Sequence, residues 1–284
     1  MIPASFEYVR PSSVDEALQA LGGGGDVKLL AGGQSLIPVM RLRLAAPDTV
    51  VDLARIQELH GVRDDGDAIV IGAMTTHDEV LKDPLIREHA ALVSQATETI
   101  ADPQVRHRGT FGGALAHADP AGDLPAVALA LDAEFVIASS GGRRTVPAKD
   151  FFVDYLTTVI GEDELLVEVR IPKLSGEWGS HYEKFNRVAQ AWSIVAVAAV
   201  VRRENGGIAE ARVGLTNMSS VPVRASAVES ALVGSGDADA VGAAAEHAAE
   251  GTNPTDDLNA KADYRQHLAK VLTKRAVLAA AGLE

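Results

Sequence analysis

Cysteine does not occur in this chain of 284 residues. Its absence excludes disulfides, a thiolate nucleophile, a thioether-linked flavin, and any all-thiolate zinc or iron–sulfur site carried by this polypeptide. Positive charge is scarce: 26 Lys and Arg stand against 39 Asp and Glu, a net charge of −13. Phosphate backbones need clustered cations, so the balance argues against a nucleic-acid binder. It does not forbid a small phosphate ligand, because local backbone dipoles can oppose the global field. Long apolar runs are missing too, and the longest, Ile194 to Val201, is of strand length. The start, MIPASFEYVRPSS, lacks the basic and apolar stretches of a signal peptide, which points to a cytoplasmic protein. There is no Gly-x-Gly-x-x-Gly, no loop ending in Gly-Lys-Ser or Gly-Lys-Thr, and no His-Glu-x-x-His. Standard nicotinamide, ATP and zinc-hydrolase sites are therefore unsupported.

What is present reads first as alternating strand and helix. Phe6 to Val9 is a short strand, and Ser13-Val14-Asp15-Glu16 is a capping box opening a helix to Leu21. Strand Val27 to Leu30, a helix through about Leu44 and strand Thr49 to Asp52 complete an α/β unit. A hairpin is expected around Asp64-Asp65-Gly66-Asp67, a second capping box at Thr76 to Glu79, and one long helix from Pro84 to about Ile100. A turn-rich segment, GTFGGALAHADPAGD at 109–123, precedes a helix from Pro125 to Leu131. Strands follow at Glu134 to Ala138, Arg143 to Val146 and Glu164 to Ile171, then the linker-like PKLSGEWG at 172–179. Beyond it, Tyr182 to Phe185, Ser193 to Arg202 and Ile208 to Leu215 read as antiparallel strands. Three alanine-rich helices follow at Arg224 to Leu232, Ala238 to Ala249 and Asp263 to Ala281.

Two glycine-rich loops carry the chemistry. AGGQSL at 31–36 and GTFGGA at 109–114 each combine paired glycines with a hydroxyl residue. Glycine lets peptide N–H groups approach an anion and permits positive φ, and a following helix adds its dipole. Each pair alone could be an ordinary turn; two loops built alike suggest a pyrophosphate held between them. Other polar residues have plain alternatives. His117, Asp119 and Asp123 could face a metal or a ribose, or Asp123 could cap the next helix. Ser35 lacks the second glycine of a nucleophile elbow, because Ile37 occupies that position. Arg106-His107-Arg108 is either a solvated basic face or a screen for a diphosphate, and Lys184 by default is a surface lysine.

The stretches AGGQSLIPVMRLRLAAPDTVVDL and RHRGTFGGALAHADPAGDLPA resemble the flavin-binding medium subunits of the molybdenum hydroxylases, the xanthine dehydrogenase group. Within that group the aerobic carbon monoxide dehydrogenase branch is most similar. IGAMTTHDEV, DFFVDYLTTVIGEDELLVEVRIP, YEKFNRVAQAWSIVAVAAVV and VGLTNMSSVPVRA extend the resemblance over nearly the whole chain. It implies an α+β protein of the vanillyl-alcohol-oxidase type. Two α/β subdomains (about 1–53 and 54–175) would hold FAD, and a C-terminal domain of antiparallel sheet and helices would span 176–284.

By the same resemblance the FAD contacts are Leu29, Leu30, Ala31, Gly32, Gly33, Gln34, Ser35 and Leu36 in the first loop. Thr110, Phe111, Gly112, Gly113 and Ala114 form the second, with Asp123, Leu166 (or Leu165) and Lys184 further on. A cation at Lys184 near the ring would favour a reduced, anionic flavin. The chain departs from the family pattern at His107 and Ala114, where many relatives have Asn; Ala114 keeps its backbone N–H and loses the amide side chain. Catalytic residues and a metal are not expected in this chain. The implied partners are a large subunit with a molybdenum–pterin cofactor and a small subunit with two iron–sulfur clusters, assembled as a dimer of heterotrimers. Electrons would leave to an external acceptor, and the complex could associate peripherally with a membrane. Three other readings remain open: the medium subunit of a xanthine, aldehyde or N-heterocycle dehydrogenase, a self-sufficient FAD oxidase of the same fold, and a non-catalytic adaptor.

Overall fold

A computed structural model describes residues 2–283. Met1 and Glu284, the outermost residues of the two expected domains, lie outside the described residues. The N-terminal unit runs β1 (Glu7–Val9), α1 (Val14–Leu21), β2 (Val27–Leu30), α2 (Leu36–Arg41) and β3 (Thr49–Asp52). Its three strands form a parallel sheet in the order β1-β3-β2. The carboxyl ends of all three point the same way, so the loop after β2 emerges beside Asp52 of β3, its register partner being Leu30. Open parallel sheets bind ligands at that edge.

The second unit contains β4 (Val62–Asp64), β5 (Ala68–Gly72), α3 (His77–Lys82), α4 (Pro84–His89), α5 (Ala91–Glu98), α6 (Pro103–Arg106), α7 (Phe111–His117) and α8 (Asp123–Ala130). After these come β6 (Glu134–Ser139), β7 (Gly142–Pro147), α9 (Ala148–Phe151), the small hairpin β8 (Phe152–Asp154) and β9 (Thr157–Thr158), and β10 (Leu165–Pro172). The five-stranded sheet β4-β5-β10-β6-β7 is antiparallel throughout, unlike the first. The C-terminal unit is a meander of β11 (Trp178–Phe185), β12 (Val195–Glu204), β13 (Gly207–Thr216) and β14 (Val223–Arg224), followed by α10 (Ser226–Leu232), α11 (Ala238–Ala245) and α12 (Ala262–Ala281).

Several local expectations are corrected. The long helix over 84–100 is two helices. Asp83 caps the first, its carboxylate accepting from Leu85 and Ile86 N–H, and Pro84 occupies the first turn. Ala90 then leaves helical geometry at φ −140°, ψ 46°. The break lets Ile86 on one helix and Leu92, Val93 and Ala96 on the other all reach the same core. The helix after the first loop ends at Arg41, short of Leu44, and the segment read as turn-rich contains the helix α7. The Thr76 capping box is reciprocal, whereas Ser13 accepts from Glu16 N–H while the Glu16 carboxylate turns to Ser12. Trp178 and Gly179, read as linker, are already in β11.

Three apolar cores organise the chain. One lies under α1 and the parallel sheet and takes in Leu165 and Val167 of β10. A second lies between the antiparallel sheet and α5, α7 and α8, and includes Tyr182, Ala196, Ala198 and Val200 of the C-terminal sheet. The third lies on the opposite face of that sheet, under α10 to α12. The C-terminal sheet is therefore a wall shared by two cores, which explains the unbroken apolar run of β12. α8 is buried along its whole length, as a helix apolar all round must be.

Candidate functional site: a two-loop cradle

Leu29 and Leu30 end β2, half-buried, and the chain turns at Gly33, whose φ of +73° suits glycine. Among the described residues the peptide N–H groups of Gly32, Gly33, Gln34, Ser35 and Leu36 have no acceptor. Ser35 precedes α2, yet its hydroxyl makes no capping bond. Five open N–H groups and a free hydroxyl at the carboxyl edge of a parallel sheet form an oxyanion-binding surface. Asp52 borders it, accepting from the Tyr8 hydroxyl and from Ala54 N–H, with Arg10 Nε at 3.5 Å.

The two loops touch. A β-carbon on Gly32 would lie 2.7 Å from Gly109 Cα and closer still to the Arg108 carbonyl. One on Gly113 would lie 3.1 Å from Ala31 Cβ and 2.5 Å from Thr110 Oγ1. No side chain fits between these segments, so the glycines are needed for contact as much as for any ligand.

The second loop is not a copy of the first. Phe111 N–H donates to Thr75 O at 2.8 Å, Gly112 N–H to Ala73 O at 2.9 Å, Gly113 N–H to Thr110 Oγ1 at 3.2 Å and Ala114 N–H to Thr110 O at 3.1 Å. The equal donor set read from its sequence is thus already committed to the scaffold. Phe111 is core, and a β-carbon on Gly112 would sit 2.5–2.8 Å from Ala73. Gly112 is a packing glycine against the chain beyond β5. Thr110 caps α7 through its oxygen and retains its hydroxyl proton to donate.

Asp123 and Lys184 form a separate cluster. Asp123 does not cap α8, since Gly122 holds that position. Its carboxylate is buried and accepts from the Tyr182 hydroxyl (2.7 Å), Ser193 Oγ (2.8 Å) and Lys184 Nζ (2.9 Å). Lys184, far from a surface residue, also donates to Thr99 O at 3.2 Å. Burial first, and then the Asp123 charge, push the Tyr182 phenol well above its ordinary range, so it stays a proton donor. Lys184 is thus one half of a buried ion pair with Asp123. Leu166 side chain lies in the second core, beside a β-bulge at Val167 whose carbonyl accepts from Ala73 N–H.

Other residues resolve into scaffold. Arg106 ties α6 to the end of α5 through Ile100 O at 2.8 Å, Asp119 makes a local turn with Ala121 N–H, and His107 is exposed near Asp78. Sequence reasoning missed Tyr182, although alternation along a strand puts it on the same face as Lys184. It also missed Ser193 and His77. A histidine in a first helical turn carries no local signal of burial, yet His77 is 4% exposed and packs on Gly109.

Comparison with known proteins accounts for all three units. Residues 4–174 match the family described as the FAD binding domain in molybdopterin dehydrogenase, and residues 180–280 match the CO dehydrogenase flavoprotein C-terminal domain. The chain is 42% identical to the carbon monoxide dehydrogenase medium chain of Hydrogenophaga pseudoflava, over 99% of this chain and 98% of that one. It is 36% identical to the glyceraldehyde dehydrogenase medium chain of Sulfolobus acidocaldarius, over 97% and 98%. A solved carbon monoxide dehydrogenase from H. pseudoflava, lacking the Mo-pyranopterin moiety of its cofactor, superposes with a TM-score of 0.96 at 44% identity, covering 99% of each chain. The α+β architecture and the cradle thus belong to a protein similar to these throughout its length. The chain is a member of the family of FAD-binding medium subunits of the molybdenum hydroxylases.

Proposed function

We propose that this chain is the FAD-binding electron-transfer subunit of an aerobic carbon monoxide dehydrogenase. It would stand between a small subunit carrying iron–sulfur clusters and an external electron acceptor, with substrate oxidised on a large molybdenum–pterin subunit. The assembly would be a dimer of heterotrimers in the cytoplasm; no helix among the described residues is long and apolar enough to cross a membrane. The observation that carries the choice of substrate is the full-length similarity to a carbon monoxide dehydrogenase medium chain, six points of identity above the glyceraldehyde dehydrogenase relative (42% against 36%).

The residues present fit FAD. The open N–H groups of Gly32 to Leu36, the Ser35 hydroxyl and the Thr110 hydroxyl proton supply donors for a diphosphate, and the contact at Gly32 and Gly109 leaves no side chain in the way. Bound FAD would supply the redox chemistry, as cofactors do, while the protein binds and orients it. Asp123, Leu166 and Lys184 are assigned to the flavin end, with Lys184 paired to Asp123.

The test is anaerobic addition of candidate substrates to the complex purified with its partner subunits. Carbon monoxide should bleach the oxidised-flavin absorption, and glyceraldehyde should not. Bleaching by glyceraldehyde alone would reassign the substrate and leave the flavin role intact. A complex without flavin would remove that role as well.

A further inference from the structure

The first loop is held by its own turn, but the second is held from behind. His77 N–H donates to Gly109 O at 2.9 Å, and Thr76 and Thr110 face each other in an isolated antiparallel bridge. With the Phe111 and Gly112 bonds to Thr75 and Ala73, the stretch from Ala73 to His77 forms a template for residues 109–112. The imidazole of His77 fills the side of Gly109 where a β-carbon would stand, at 2.8 Å for Cδ2 and 3.1 Å for Nε2. Gly32 meets the same α-carbon from another direction. One small residue is therefore contacted by a buried ring and by the opposing loop. The ring is buried and its Nδ1 has no partner among the described residues.

We propose that His77 is a positioning residue for the cofactor cradle: its imidazole, wedged behind Gly109, holds the second loop against Gly32 and sets the spacing of the two loops. The inference rests on the FAD reading above and adds to it a residue outside the two loops, acting through Gly109. A ring in this place must stay uncharged. Burial lowers the His77 pKa to about 4, and the guanidinium of Arg106 on α6 acts in the same direction. On α3 itself Asp78 is taken up by Lys82 and approached by His107, and Glu79 is engaged by Thr76. The helices α4 and α5, packed on α3, carry Arg87, Glu88, His89 and Glu98, and Arg87 Nε is held by the Leu81 carbonyl. Protonation would place a second cation near Arg106, and the wedge would loosen.

The experiment uses the full chain, titrated with FAD from pH 7 down to about pH 3.5, below the His77 pKa of about 4, with circular dichroism confirming the fold at each pH. His77→Ala should weaken FAD binding about tenfold or more at pH 7, because the cradle is no longer preorganised. His77→Phe, which keeps the ring and cannot be protonated, should bind at pH 7 within about threefold of the unaltered chain and lose its steeper acid dependence. Hydrogen exchange on the flavin-free chains supplies a readout without ligand: the Phe111 and Gly112 amides should exchange faster in His77→Ala and not in His77→Phe. The proposal is overturned if His77→Ala binds FAD normally, if His77→Phe releases FAD along the same acid curve as the unaltered chain, or if exchange at those amides is unchanged in His77→Ala. Should the unaltered chain bind no FAD at any pH, alone or with its partner subunits, the flavin reading fails, and the exchange measurement still decides the role of His77. Should His77→Ala not fold, the acid curve of His77→Phe decides alone.

Discussion

Lys184 Nζ lies 2.9 Å from Asp123 Oδ2, with the two side chains only 5% and 4% exposed. Asp123 starts α8 and Lys184 stands on β11, so the pair bolts the cofactor-side helices to the C-terminal sheet. A buried pair of this kind adds little net stability, but removing one partner strands the other.

Lys184→Ala should therefore destabilise the chain by about 3–5 kcal/mol, because the Asp123 carboxylate keeps its hydroxyl donors and loses its counter-charge. Asp123→Asn combined with Lys184→Ala should recover much of that loss. Denaturant unfolding of both single variants and the double variant measures the coupling. An additive cycle would show that the two charges do not sense each other.

The loop glycines should separate into two kinds. Gly32→Ala drives a methyl into the backbone of Arg108 and Gly109, and is expected to lower stability and to weaken FAD binding as well, because it forces the two loops apart. Gly112→Ala drives a methyl into Ala73 and is expected to cost about 1–3 kcal/mol of overall stability. FAD titration and thermal unfolding on the same two proteins distinguish them. Equal effects of both variants on both readouts would contradict the distinction.

Thr110→Ala removes the acceptor for Gly113 N–H at the start of α7 and should cost about 1 kcal/mol. Thr110→Ser should restore stability, and it should restore FAD affinity as well if the hydroxyl proton reaches the diphosphate. Restored stability without restored affinity would confine Thr110 to the cap.

His77 makes stability depend on pH in a definite direction. Its pKa falls from 6.5 in the unfolded chain to about 4 in the folded one, so between those values the unfolded chain binds more protons. The stabilisation is complete above pH 6.5 and fades as the pH falls towards 4. A shift of this size corresponds to up to about 3 kcal/mol. Unfolding free energies measured at pH 7 and pH 4.5 should differ less in His77→Phe than in the unaltered chain, by an amount of that order.

Local chemistry alone determined much of this protein. The second capping box, the glycine turns at Gly66 and Asn205-Gly206, the first-unit strands and the two loops are all set by neighbours within a few residues. The family resemblance carried the cofactor with them. What only the tertiary structure decided involves partners far along the chain. The break at Ala90 answers to a core that both α4 and α5 must reach. The burial of Lys184 depends on Asp123, 61 residues away, and the depth of His77 on Gly109. The same distance effect divides the two glycine loops, alike in sequence: Ala73 and Thr75 consume the N–H groups of Gly112 and Phe111, while those of Gly32 to Leu36 stay open. A peptide amide is free or occupied only once the rest of the chain has folded around it.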